Sequence, residues 1–233
     1  MIAKFYTLLS EKRWMHRLPL FVSFPRTGSE WINAVMELYF DRPRLRKLRI
    51  TFIDKKRKDW MWFHDHDIEM NVEHKNVLYL FRDPVETVYS NIEYMINTKH
   101  TYIINPLYAS NATEVKEKDV VILAEHYASH INKWLYGLHK AKEYISYEKF
   151  IENPHGEMEK VCRFFGSKLN SEKLTDVLAF VTKEKMVAQN EEEKNGGLNN
   201  KMLNDKYRDN RRIFKEKYAN IIYDITKDVY EKR

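Results

Sequence analysis

The sequence predicts an α/β protein built on a mainly parallel sheet, and two observations carry that expectation. Apolar runs of strand length alternate along the chain with segments whose apolar residues recur at helical spacing, and no internal repeat or long low-complexity tract interrupts them. With 233 residues, 43% of them hydrophobic and 14% aromatic, there is apolar material for one domain core over residues 1–233.

Taken in order, residues 18–24 (LPLFVSF) read as a short buried strand, residues 25–28 (PRTG) as a turn, and residues 29–40 as a helix with Ile32, Val35, Met36 and Tyr39 on one face. Residues 48–53 and 60–63 read as strands separated by DKKRKD, a solvated connection. Residues 76–81 (NVLYLF) are the clearest central strand. They run into Arg82-Asp83-Pro84, where Asp at an N-cap and Pro at the first helical position announce a helix with Val85, Val88, Tyr89, Ile92 and Met95 as its stripe. Residues 99–119 are polar, contain Pro106 and read as a surface excursion. A long helix follows with Ala124, Tyr127, Ala128, Ile131, Leu135 and Leu138 buried, then a strand at residues 143–147 (EYISY). Helices are expected at about 154–165, 173–180 and 207–230, with a flexible loop at 191–201.

Composition removes several function classes. Cys162 is the only cysteine, so an internal disulfide framework is excluded, and its apolar setting (VCRFF) marks it as core rather than a catalytic thiol. Residues 1–14 are too charged for a signal peptide, and no run approaches the roughly 18 apolar residues of a membrane span. The expected setting is cytoplasmic, which leaves the Asn111-Ala112-Thr113 sequon unglycosylated. A net charge of +6 suits a polyanionic ligand, nucleic acid or an anionic surface equally well.

Two segments narrow the choice. FPRTGSEW, residues 24–31, sets a Pro/Gly turn between a buried strand and a helix start, aiming several backbone N–H groups at one point, where a phosphate binds. Arg26 adds a permanent forked cation, and the Thr27 and Ser29 hydroxyls are further donors; an ordinary turn with Ser29 as helix cap is the plain alternative. The Gly-Lys pair of a Walker loop is missing, which argues against ATP or GTP hydrolysis. In the second segment, YLFRDPVETVYS, Arg82 closes the central strand and Ser90 lies eight residues on in the next helix, so both can reach one further phosphate.

These segments resemble the PAPS-dependent sulfotransferases, PAPS being 3′-phosphoadenosine 5′-phosphosulfate. FPRTGSEW is similar to that family's 5′-phosphosulfate loop, commonly P-K-S-G-T-T-W. YLFRDPVETVYS resembles its 3′-phosphate motif, and residues 145–166 resemble its Tyr-Glu-Asp segment and following helix. The resemblance implies a three-layer α/β/α, P-loop NTPase-like sulfotransferase architecture. It also implies roles: Arg26, in place of the usual Lys, on the 5′-phosphosulfate; Thr27, Gly28, Ser29 and Glu30 lining the loop; Arg82 and Ser90 on the 3′-phosphate; Tyr147 and Trp31 beside the adenine. Glu30 stands where Thr is frequent. The family's C-terminal Arg-Lys-Gly element is not recognisable, and Lys201, Arg208, Arg211 and Arg212 are its candidate replacements.

Sulfuryl transfer needs a base for the acceptor proton and a cation where charge builds on the departing phosphate, which Arg26 supplies without a metal. WMWFHDHD, residues 60–67, supplies His64 and His66; His64 comes first because it directly follows the predicted strand. An H-D-H metal site is weaker, since no third ligand is evident. PAPS is thus the expected co-substrate and 3′-phosphoadenosine 5′-phosphate (PAP) the product, with an unidentified hydroxyl or amine acceptor such as a sugar, lipid, small phenol or peptide. Two alternatives stay open: an atypical P-loop nucleotide kinase, and a non-catalytic PAP- or nucleic-acid-binding module. No stable nucleic-acid partner is expected, because no extended basic-aromatic surface is evident. Oligomeric state is not legible.

Overall fold

The computed structural model describes residues 17–45, 52–54, 56–98, 115–138, 140–182, 184–186, 188 and 205–231. The elements are β1 (Leu20–Ser23), α1 (Ser29–Phe40), β2 (Arg44–Leu45), β3 (Trp62–Asp65), β4 (Val77–Phe81) and α2 (Pro84–Thr98). Helix α3 (Glu117–Ile131) runs on into a π turn, Asn132–Tyr136. Beyond it come β5 (Glu143–Ser146), α4 (Tyr147–Glu152), α5 (Pro154–Phe164), α6 (Ser171–Phe180) and α7 (Asp205–Tyr230).

The strands form a five-stranded sheet in the order β2-β3-β1-β4-β5, with every pairing parallel. Both neighbours of β1 are parallel to it, so β1 is buried on both faces, which is why its sequence is apolar throughout rather than alternating. Phe21, Leu78, Leu80 and Ile145 face one side and pack with Ile32, Val35 and Met36 of α1, Met158 and Val161 of α5 and Leu174 of α6. Leu20, Val22, Val77, Tyr79 and Phe81 face the other side, with Trp134. Beyond that face α2, α3 and α7 share a core of Val88, Ile92, Leu123, Tyr127, Phe214 and Ile222. The architecture is a three-layer α/β/α sandwich, as expected.

Helix α2 starts as its sequence announces: the Asp83 carboxylate accepts from Glu86 N at 2.9 Å, with Pro84 as first residue. Cys162 is buried in the α1–α5 core. The differences from expectation have local causes. Strand β3 spans 62–65 rather than 60–63, so His64 lies inside it and His66 directly follows it. The expected strand at 48–53 falls mostly outside the described residues, Phe52 and Ile53 are not in a strand, and β2 precedes them. Tyr147, expected to end β5, instead opens α4, because Ser146 caps that helix by accepting from Lys149 N. Leu138 is 100% exposed, since the π turn shifts the helical phase and the chain leaves the helix at Gly137. The polar excursion ends earlier than expected, with α3 beginning at Glu117, and its residues 99–114, like the loop at 191–201, lie outside the described residues.

Candidate active site

The residues singled out from sequence gather at the carboxyl ends of neighbouring strands: the 24–28 loop after β1, His66 after β3, Arg82 after β4 and Tyr147 after β5. Ligands of open parallel sheets bind in this crevice.

The loop after β1 is braced from within. Thr27, fully buried, donates its hydroxyl to the Phe24 carbonyl at 2.7 Å, so that hydroxyl is engaged inside the loop rather than presented to an anion. Asn91 Nδ2 donates to the Pro25 carbonyl at 2.9 Å, tying the loop to α2. Arg26 adopts φ 67° and Gly28 φ 91°, both left-handed, the conformation that turns successive amides toward one side. Gly28 is the N-cap of α1 and Ser29 its first residue, so Ser29 is not the cap. A Cβ on Gly28 would overlap the Tyr147 ring, so the close approach of backbone and ring demands glycine.

Arg26 and Arg82 converge. Arg82 Nη1 donates to the Arg26 carbonyl at 3.2 Å, and Arg26 Nε reaches the Ser90 hydroxyl at 3.4 Å. The Arg26 guanidinium lies over the Tyr94 ring at 4.8 Å and that of Arg82 over the Tyr147 ring at 4.6 Å. Arg82 Nε is a buried donor with no hydrogen-bond partner. Trp31 meets Tyr147 edge-on at 6.1 Å and donates its indole N–H to the Val181 carbonyl at 3.0 Å.

Glu30 points elsewhere. Its carboxylate accepts from Arg44 at 2.8 Å, and Arg44, 1% exposed, also lies 3.6 Å from the buried Glu37. Glu86 is a second acidic hub that sequence reading missed: Arg82 lies 3.5 Å away, Arg211 chelates it at 2.6 and 3.0 Å, and Lys215 reaches it at 2.5 Å. Burial alone would raise the Glu86 carboxyl, but the hydrogen bonds from Arg211 and Lys215 outweigh it and hold it below its usual range. Of the basic candidates in the C-terminal region, Arg211 therefore stands beside Arg82, whereas Arg212 pairs with Glu216 at 3.0 Å on an exposed face. Lys201 and the Arg208 side chain lie outside the described residues. Lys215 is one turn beyond Arg211, a spacing that marks it as a companion.

The histidines form a partly buried cluster around Ser23, another residue the sequence did not flag. His64 Nε2 lies 2.9 Å from Ser23 Oγ, and His66 Nδ1 donates to the Ser23 carbonyl at 2.8 Å. His130, fully buried, donates Nε2–H to the His66 carbonyl at 3.0 Å and faces the Tyr79 hydroxyl with Nδ1 at 3.0 Å. Desolvation, then the nearby His66 and Arg44, push His64 well below the ordinary histidine range. Desolvation takes His130 down to about 3 against the favourable bond to the His66 carbonyl. Asp65 and Asp67 are structural. Asp65 accepts from Asp67 N at 2.7 Å, and Asp67 accepts from Val72 N, from Lys133 at 2.5 Å and from the Trp134 indole at 3.1 Å, clamping the loop that carries His66. No group of three His, Cys, Asp or Glu that could hold a metal occurs among the described residues.

Among solved structures, mouse sulfotransferase SULT7A1 complexed with PAP is 15% identical, with a TM-score of 0.44, 74% of this chain and 68% of that chain being covered. A retinol dehydratase in complex with androsterone and inactive cofactor PAP is 12% identical, with a TM-score of 0.43 over 74% of this chain and 68% of that one. A sulfotransferase from Alicyclobacillus acidocaldarius is 14% identical, with a TM-score of 0.34 over 75% and 94% of the two chains. No curated protein sequence matches. The sulfotransferase domain family matches residues 19–231, nearly the whole chain and all the elements described above, and the chain belongs to that family.

Proposed function

We propose that this sulfotransferase moves a sulfuryl group from PAPS to a hydroxyl or amine acceptor and releases PAP. The observation that carries the reading is the convergence of two cationic forks at one crevice. Arg82 is 3.2 Å from the Arg26 carbonyl, Arg26 is 3.4 Å from Ser90, and Arg82 Nε is a buried donor in want of an acceptor. Arg82 and Ser90 take the 3′-phosphate, with Arg211 and Lys215 at hand across Glu86. Arg26 and the amides of Thr27, Gly28, Ser29 and Glu30 take the 5′ end; Glu30 contributes backbone only, because its carboxylate belongs to Arg44. Trp31 and Tyr147 flank the adenine. The reading is supported by the close approach of the Gly28 backbone to the Tyr147 ring, which a Cβ would prevent and which keeps that ring beside the loop.

In the transfer, a histidine of the His64/His66 pair takes the acceptor's proton as the new bond to sulfur forms. The bond from sulfur to the 5′-phosphate oxygen breaks with its electron pair staying on that phosphate, where Arg26 stabilises the added charge. Arg26 remains protonated throughout, so it acts electrostatically and not as an acid.

Sulfur-labelled PAPS offered with sugar, lipid, phenol and peptide acceptors tests this. The expected result is labelled product from the wild type and a kcat about a hundredfold lower in Arg26→Ala. Full activity in both His64→Ala and His66→Ala, or turnover of Mg·ATP instead of PAPS, contradicts it.

A further inference from the structure

We infer that Ser23 is the positioning residue of the histidine pair, holding both rings as Nδ1–H tautomers and occupying the Nε2 lone pair of His64 but not that of His66. A carbonyl only accepts, so the 2.8 Å contact from His66 Nδ1 to the Ser23 carbonyl requires a proton on that nitrogen. His66 Nδ1 therefore cannot accept from the Ser23 hydroxyl, and the 3.4 Å contact between them is at most a second, weaker donation from the ring. The hydroxyl proton goes to His64 Nε2, 2.9 Å away, so the proton of neutral His64 sits on Nδ1.

The surroundings hold this arrangement in place. Ser23 is fully buried at the end of the central strand, between β3 and β4, so its hydroxyl has little room to turn elsewhere. His66 is gripped from two sides, its ring by the Ser23 carbonyl and its own carbonyl by His130 Nε2–H at 3.0 Å, while Asp67 clamps the chain that follows. The two rings lie 4.7 Å apart, edge to face, so neither reorients without the other.

The consequence for catalysis rests on the transfer reading above. Ser23 engages the Nε2 of His64, so of the two rings it is His66, directly after β3, that becomes the one taking the acceptor's proton. His64 becomes its packed neighbour. This reverses the preference drawn from sequence, whose reason was adjacency to the strand end; β3 ends at Asp65, and the adjacent histidine is His66.

Long-range proton–nitrogen NMR at neutral pH on the full chain reads the tautomers without any turnover. Two Nδ1–H rings are expected, with Ser23→Ala shifting the His64 Nε2 resonance, leaving the His66 pattern in place, and Ser23→Thr restoring the wild-type spectrum. An Nε2–H form of either ring in the wild type, or a His64 resonance indifferent to Ser23→Ala, overturns the inference; the wild-type spectrum alone decides if Ser23→Ala does not fold. In turnover, kcat falls at least about tenfold further in His66→Ala than in His64→Ala, with PAP affinity retained in both. The opposite order overturns the assignment of His66. A chain without turnover of PAPS sinks the transfer reading and leaves the tautomers to be judged by their spectrum.

Discussion

Single side chains decide the geometry of the crevice, and Gly28 shows it most simply. Its φ of 91° and the Tyr147 ring against it leave no room for a side chain, so Gly28→Ala carries both backbone strain and a clash. A loss of about 2 kcal/mol in unfolding free energy is expected from chemical denaturation, with weaker PAP binding. Tyr147→Ala relieves the clash, so the double substitution costs less than the sum of the singles. Arg26, Gly28, Arg82 and Ser90 could be singled out because they fall in two short local segments, which the fold then brings together at one crevice. Ser23 and Glu86 could not. Their partners come from other strands and helices, 41 residues away for His64 and 125 for Arg211, and nothing local marks them.

Elements were readable where one periodicity ran without interruption. Helix α1 was expected at its observed bounds because its apolar stripe begins straight after the Pro/Gly turn. The end of α3 was not, because the π turn is held by tertiary bonds: Lys133 and Trp134 both reach Asp67, 66 and 67 residues away. That clamp is an ion pair with a fully buried carboxylate. Asp67→Ala leaves Lys133 and the Trp134 indole without their shared acceptor, and unfolding free energy is expected to fall by about 3 kcal/mol, measured by urea titration. The same substitution frees the loop carrying His66, so kcat falls while PAP affinity holds.

At the scale of the whole molecule, the histidine cluster sets the acid limb of stability. His64, His126 and His130 all sit below the ordinary value of 6.5 through desolvation. Above that pH both folded and unfolded rings are neutral and contribute nothing. Below it the unfolded chain takes up protons that the folded rings refuse, so stability declines, for His130 until about pH 3. Each such histidine steepens the decline by up to about 1.4 kcal/mol per pH unit. Thermal melts between pH 7 and 4 should show this slope, and His130→Asn should flatten it; an unchanged slope would contradict a neutral, buried His130.

The sheet order, with β1 flanked by β3 and β4, brings the two cationic forks to one crevice, and the central claim is that they grip two different phosphates of one nucleotide. Calorimetric titration without Mg²⁺ of PAP, adenosine 5′-phosphate and adenosine 3′-phosphate into wild type, Arg26→Ala and Arg82→Ala measures this directly. The account predicts that PAP binds tightest. Arg82→Ala should lose about ten- to a hundredfold in affinity only for ligands carrying the 3′-phosphate, and Arg26→Ala only for those carrying the 5′-phosphate. Failure of PAP to bind, or losses that ignore which phosphate is present, would contradict it.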